Sequence, residues 1–305
     1  LDADKNRDPL LVFANTCINE KIAIQKDFDK IAEEVKAQVD SDAEWAELQP
    51  DPNPIEAFNN VVMDASQKEK IEAAPQNLGE KVVLVDAINH ALDEELANND
   101  KMVIYGQDVG GSKGGVFTAT RGLTKKYGIE RVFNSPLAES SIIGTAIGMA
   151  TLGYRPVVEI QFGDYIWYGM MQIRNELVTM QYRSNGQWRC PLVIRVPVGG
   201  YIHGSLCHSQ SIDGYFGHLP GLYIAYPSNA ADAKGLLKMA CRMDDPVMFM
   251  EHKGLYRQGF ASAPEPDGNY LLPFGKASII QEGADVTIIA WGAIVQKSIE
   301  AVRNT

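Results

Sequence analysis

Glu139 is the sole charge in the run Phe133-Asn-Ser-Pro-Leu-Ala-Glu-Ser-Ser-Ile-Ile-Gly-Thr-Ala-Ile-Gly-Met-Ala150. A carboxylate at the threshold of so apolar a stretch is placed to share a proton with a ligand. It also has a structural reading. Pro136 ends whatever precedes it, Ser140 and Ser141 can satisfy free amides, and an acid in a first helical turn meets the positive end of the helix dipole. Two further groups could do chemistry. Gln161, Phe162, Asp164 and Tyr165 fall where a strand should give way to a helix, a place where ligands lie. Gly199-Gly-Tyr-Ile-His203-Gly-Ser-Leu-Cys-His208-Ser-Gln-Ser211 is a glycine-rich loop with two histidines, which are either solvated or catalytic.

Two glycine patterns mimic phosphate sites. Gly106-Gln-Asp-Val-Gly-Gly111-Ser112-Lys113 has the glycines of a P-loop, but its serine and lysine come in the wrong order. Gly163-Asp164 followed by Asn175 departs from the Gly-Asp-Gly…Asn motif for magnesium diphosphate: Tyr165 replaces the glycine and the asparagine comes too early. Gly144, Ala146, Gly148 and Ala150 leave one side of the segment after Glu139 nearly bare, which predicts close helix packing.

Around these residues the chain alternates helix and strand. Val82–Asn98 places apolar residues at helical spacing, and short apolar runs at 101–105, 131–133, 155–162, 192–196, 222–226 and 247–250 predict strands. Helices are expected after Glu139, over Tyr165–Arg183 and over Ala230–Cys241. Strands joined through helices predict an α/β fold, a mostly parallel sheet with helices on both faces. Upstream, Ile24, Phe28, Ile31, Val35 and Val39 form one apolar stripe on a helix with no evident local partner. Downstream, runs at 276–280 and 285–291 predict two strands and Ala293–Val302 a helix. The expected organisation is an N-terminal helical extension over 1–48, a proline-broken linker over 49–80, a main domain over 81–265, and over 266–305 the truncated start of a second α/β domain.

Charge separates these parts. Residues 1–80 hold 18 of the 39 acids and only 8 of the 28 bases, so most of the net charge of −11 sits in the extension and linker. An acidic balance argues against nucleic acid or an anionic membrane as partner. No apolar run approaches the ~20 residues that span a bilayer. Cys17, Cys190, Cys207 and Cys241 are scattered without a C-x-x-C pair, which favours a reduced compartment and no zinc finger. The chain opens on Leu1 with no signal-peptide pattern, so it reads as an internal piece, with a bacterial cytoplasmic location expected.

Together these stretches amount to a resemblance. Tyr105-Gly-Gln-Asp-Val, Gly114-Gly-Val-Phe, Arg131-Val-Phe-Asn-Ser-Pro-Leu-Ala-Glu139, Glu159-Ile-Gln-Phe-Gly-Asp-Tyr-Ile, His208-Ser-Gln-Ser and Leu255-Tyr-Arg257 follow one another in order. The chain from Lys81 onward resembles the beta subunit of the thiamine-diphosphate-dependent, decarboxylating component of 2-oxo acid dehydrogenase complexes. Residues 1–48 resemble, more weakly, the end of the family's alpha subunit, which suggests a fusion of the two subunits.

The resemblance implies a thiamine-diphosphate-binding pyrimidine domain and a transketolase-type domain beginning near 266. It implies that Glu139 hydrogen-bonds N1′ of the cofactor's aminopyrimidine, that Leu137, Gln161 and Tyr165 line that ring, and that His208 serves acyl transfer to a lipoyl arm. Magnesium and the diphosphate would be held by the alpha half. A potassium ion is implied too, held by main-chain oxygens of Cys190, Leu192 and Val193, with Cys241 and the side chain of Asp244, although the Asp244-Asp245-Pro246 turn is one residue short of the family's loop. The implied partners are an alpha-subunit-like domain, a lipoyl-bearing acyltransferase and further copies of the chain. The Gln161–Tyr165 and His208–Ser211 segments look closer to branched-chain enzymes, with pyruvate dehydrogenase as the alternative and a non-catalytic assembly module as the rival of another class.

Overall fold

The computed structural model describes residues 4, 7–62, 73–202 and 204–304. His203, part of the 49–80 linker and the first residues of the 1–48 extension lie outside the described residues. The chain divides into two compact units, Leu1–Ala57 and Phe58–Thr305.

Among its described residues the first unit holds two long helices, Pro9–Asn19 and Gln25–Glu47. In α1 (Pro9–Asn19) the Asp8 side chain accepts the Leu10 amide at 2.8 Å, and Pro9 takes a first-turn position where its missing N–H is harmless. Helix α2 (Gln25–Glu47) contains the expected stripe and runs eight residues beyond it. Asp27 caps its start from within, and Lys36–Asp40 and Gln38–Asp42 pair one turn apart along it. No residue of α2 is buried, so Ile31, Val35 and Val39 stay exposed.

The second unit is built on six parallel strands in the order β3-β2-β4-β5-β7-β6. These are β2 (Met102–Gly106), β3 (Val132–Asn134), β4 (Arg155–Glu159), β5 (Val193–Val198), β6 (Tyr223–Ala225) and β7 (Val247–His252). Helices α3 (Leu84–Asn98), α4 (Glu139–Thr151) and α5 (Ala230–Arg242) cover the sheet. The two-residue repeat of each strand divides the core. Met102, Ile104, Val247 and Phe249 join α3 and α5 on one face, while Val103, Tyr105, Met248 and Met250 join α4 on the other. Strands β1 (Leu78–Val82) and β8 (Ala263–Pro266) form a separate antiparallel pair, and helix α6 (Ala293–Arg303) ends the described chain.

The fold class and the strand–helix alternation match the expectation. Three local expectations do not. The single helix over Tyr165–Arg183 is broken into a 3₁₀ turn at Gly163–Gly169, a π turn at Gln172–Leu177 and a last α turn at Met180–Arg183. Gly169 shows why the chain takes this path: a Cβ there would lie 2.3 Å from Ile143 Cδ1, so the segment presses against α4 more closely than a side chain allows. The bare side of α4 is only partly used, since Gly144 meets Gln172 while Gly148 faces open space. The runs at 276–280 and 285–291 form no ladder, and Ile279, Ile280, Val286 and Ile289 stand exposed. Two short strands with no covered face are too weak to pair by themselves.

Candidate functional site

The strand order turns back at β2: the chain moves outward to β3, then returns past β2 to β4. Such a switch opens a crevice beyond the carboxyl ends of the strands. The loops after β2, β3, β4 and β5 all leave from that end. The opening of the crevice is braced from below. Tyr105 stacks on Phe133 with ring centres 4.9 Å apart and donates its hydroxyl to the Ile142 carbonyl at 2.8 Å, which ties β2 to the first turn of α4. Burial pushes the Tyr105 phenol well above its ordinary range, so the donor stays protonated.

Glu139 is the first residue of α4, half-buried, as the acid-at-helix-start reading expects. Its carboxylate makes no hydrogen bond or ion pair to any described residue. Beside it Leu137 is 70% exposed. Gly169 packs on the Glu139 main chain and so brings the Gly163–Gly169 turn, with Tyr165, across to this helix start. Tyr165 Oη lies 2.6 Å from His208 Nε2. The His208 ring also meets Phe162 edge to face, with centres 4.4 Å apart. Partial burial raises the Tyr165 phenol, and the charges of Cys207, Asp164 and Glu139 push it the same way. The phenol therefore keeps its proton in this contact.

Gln161 directs its amide back to the Gln107 carbonyl at 3.3 Å, closing the corner between the β2 and β4 loops. Of the residues expected at the site, the structure thus brings Glu139, Tyr165 and His208 to one end of the sheet, with Leu137 and Gln161 at its margin. Phe162 and Asp164, placed by the sequence at the ligand end without a role, prove to be the ring that seats His208 and the acceptor of the Gln210 amide at 3.3 Å. The false P-loop is settled too: Lys113 folds back onto Asp108 at 2.8 Å, within its own loop.

The comparisons with known proteins bear on this geometry. The model of the family "Transketolase, pyrimidine binding domain" matches residues 80–258, more than half of the chain. The chain belongs to this family. The pyrimidine-binding domain is 48% identical over 220 residues to the 2-oxoisovalerate dehydrogenase subunit beta of Bacillus subtilis, covering 72% of this chain and 66% of that protein. A mitochondrial 2-oxoisovalerate dehydrogenase subunit beta of Dictyostelium discoideum is 48% identical over 74% of this chain and 61% of its own. The pyruvate dehydrogenase E1 component subunit beta of Bacillus subtilis is 43% identical over 72% and 67%. The chain therefore spans less than two thirds of the length of the first two relatives. Among solved structures, a chain described as "Split gene transketolase, inactive beta4 tetramer" superposes with a TM-score of 0.56 at 25% identity, over 73% of this chain and 66% of that one.

Beneath the crevice this pyrimidine-binding domain buries a charged cluster. Arg195 on β5 is wholly buried and donates to Glu251 on β7 at 2.6 and 2.8 Å and to Glu159 on β4 at 2.8 Å. Tyr256 donates to Glu251 at 2.6 Å. Burial pushes Glu159 upward, with Arg195 opposing it. Two carboxylates around one guanidinium join three neighbouring strands just below the ligand end.

At the positions the resemblance assigns to potassium, the Leu192 carbonyl accepts the Val247 amide at 2.9 Å, Val193 opens β5, and Cys190 and Cys241 are buried. Asp244 gives one carboxylate oxygen to Arg155 and the other to Arg189, both at 2.5 Å, so two guanidiniums compete with a cation for this carboxylate. Among the described residues, no group of three or more His, Cys, Asp or Glu side chains could hold a metal ion.

Proposed function

We propose that this chain is the pyrimidine-binding part of a thiamine-diphosphate-dependent 2-oxo acid dehydrogenase, acting on a branched-chain 2-oxo acid of the 2-oxoisovalerate type. One observation carries the reading. Glu139 is a half-buried carboxylate at the crevice with no hydrogen-bond or ion-pair partner among the described residues, on the same sheet end as a tyrosine and a histidine bonded to each other at 2.6 Å.

The residues present fit an aminopyrimidine. Glu139 holds the proton it shares with the ring nitrogen N1′, because no described residue bonds to its carboxylate. Leu137 and Tyr165 give that ring an apolar edge and an aromatic neighbour, and Gln161 closes the corner. Bound there, thiamine diphosphate supplies the electron sink for loss of carbon dioxide from a 2-oxo acid. His208, held by Tyr165 and Phe162, donates and accepts the proton that accompanies transfer of the acyl group to a lipoyl arm.

The rest of the enzyme enters from outside the described residues. The diphosphate and its magnesium belong to an alpha-subunit-like domain of the same or a neighbouring chain, for which residues 1–48 read as the tail, joined through the 49–80 linker. Residues 266–305 read as the start of a transketolase-type domain. A lipoyl-bearing acyltransferase is the acceptor, and the location expected of the chain is a bacterial cytoplasm. The solved relative described as an inactive tetramer supports a chain that self-associates and is inactive by itself. Pyruvate is the second reading, favoured by the 43% identity to a pyruvate dehydrogenase beta subunit.

The test is reconstitution with an alpha half, followed by turnover of 2-oxoisovalerate and pyruvate. A higher kcat/KM for 2-oxoisovalerate is expected; preference for pyruvate would select the second reading.

A further inference from the structure

Lys253 follows the last residue of β7 and is only 2% exposed, yet its ammonium has no hydrogen-bond partner among the described residues. Buried lysines almost always pair, so one that does not needs a reason. Nζ sits 5.5 Å from the centre of the Phe162 ring, the same ring that seats His208. The charge that faces it is Asp164, two residues beyond Phe162, whose Oδ1 is likewise buried without a partner. The other oxygen of Asp164 accepts the Gln210 amide. Gln210 is pinned twice more, by the Gly199 amide on its carbonyl at 2.9 Å and by Trp167 on its side chain at 3.3 Å. Between these anchors the loop is bent hard. Ser205 and His208 have φ of +60° and +69°, values that side chains other than glycine seldom adopt.

We infer that Lys253 is a positioning residue for His208: together with Asp164 it sets how tightly the Gly204–Gln210 segment closes over the carboxyl end of the sheet. This rests on the reading of His208 as a functional group. The chemistry gives the inference a sign. The amine is buried, and burial pulls its proton affinity down to about 8, with Asp164 opposing. In the inference, lifting the segment, which reaches the lysine through the Gln210–Asp164 and His208–Phe162 contacts, returns the amine to water, where a lysine keeps its proton to about 10.4. The closed state thus binds fewer protons between about pH 8 and 10, and closure strengthens as pH rises through that window.

Other groups facing this place are His252 on β7, which burial holds below its ordinary range with the Lys253 and Lys297 charges acting the same way, and Tyr165, Cys207 and His208 about Phe162. A comparison in which only Lys253 changes removes their contribution.

Cys207, half-buried within the segment, is the reporter. Its alkylation by iodoacetamide is followed by peptide mass mapping in the whole chain, for the wild type and Lys253→Met, from pH 7 to 10. The wild type should react severalfold faster than Lys253→Met at pH 7, and the ratio should fall to one near pH 10. Lys253→Arg, charged throughout, should stay fast at every pH. A ratio of one across the range overturns the inference, as does a Lys253→Met variant that keeps the wild-type dependence. Should melting curves show that neither variant folds, the wild type decides alone against a free peptide of the loop: its relative rate must fall between pH 8 and 10, and a constant value overturns the inference. No cofactor enters this experiment, so its outcome and that of thiamine diphosphate binding are scored separately.

Discussion

At the residue scale, the contact between Tyr165 Oη and His208 Nε2 at 2.6 Å joins a turn after β4 to a loop after β5. Neither side chain would be held by its own backbone alone, since His208 lies in a loop with a left-handed φ of +69°. Tyr165→Phe keeps the ring and removes the bond. A hydrogen bond of this kind contributes about 0.5–1.5 kcal/mol, so acyl transfer in the reconstituted enzyme should slow by about 2–10-fold. Thiamine diphosphate affinity should change little, since the ring that lines the pyrimidine is kept; an affinity loss as large as the rate loss would mean that the Tyr165 hydroxyl itself serves cofactor binding rather than His208. Much of this was legible beforehand. Glu139, Tyr165 and His208 stand in stretches whose order and composition are distinctive. Lys253 was not legible, because a lysine after a strand is ordinary until burial shows that its ammonium has no hydrogen-bond partner among the described residues.

At the scale of elements, the sheet carries charge where its pattern predicts only packing. Arg195 sits in the run Leu-Val-Ile-Arg-Val, which reads as a core strand, and the residue was passed over for that reason. The burial of Glu159 and Glu251 against it became visible only once β4, β5 and β7 were neighbours. Arg195→Met leaves two buried carboxylates without their cation and should cost about 3–5 kcal/mol in urea unfolding of the chain. A loss within about 0.5 kcal/mol, the level of ordinary surface changes, would show that the cluster has little weight.

Helices α3 and α5 carry a second network, in which Glu94 bridges Lys234 and Lys238, and Glu265 of β8 meets Lys234 and His90. Burial pushes the Glu265 carboxyl up, but the bonds from His90 and Lys234 more than offset this and hold it at about 2. A depressed carboxyl stabilises above its unfolded value, and that contribution is lost as pH falls from about 4.5 toward 2. Glu265→Gln should therefore be less stable than wild type at pH 5 and converge with it toward pH 3, read as urea midpoints. Parallel curves would contradict this. The broken helix after β4 and the unpaired 276–291 region were the elements least legible in sequence. Helical periodicity does not register the contact of Gly169 with Ile143, and apolar alternation does not say whether a partner strand is present.

For the whole molecule, the six-stranded sheet lies within residues 102–252, while one of its cores also takes in Leu271 and packs on Phe274 and Ala293. On the proposed reading the diphosphate and its metal are held by the alpha half, so the chain alone should bind thiamine diphosphate weakly and turn over no 2-oxo acid. Calorimetry and a decarboxylation assay on the purified chain check this, and turnover at any rate above background would contradict it.

The central claim is that Glu139 shares a proton with the cofactor's pyrimidine. It is tested most directly in the reconstituted enzyme by C2 proton exchange on bound thiamine diphosphate, comparing wild type with Glu139→Gln. The amide is isosteric and still able to hydrogen-bond, so cofactor affinity and melting temperature should be nearly unchanged. Exchange should fall by about 10²–10⁴-fold, the scale of a lost acid–base group. Wild-type exchange, accompanied by a stability loss of about 0.3–1 kcal/mol, would instead make Glu139 an ordinary first-turn acid that serves only the helix dipole.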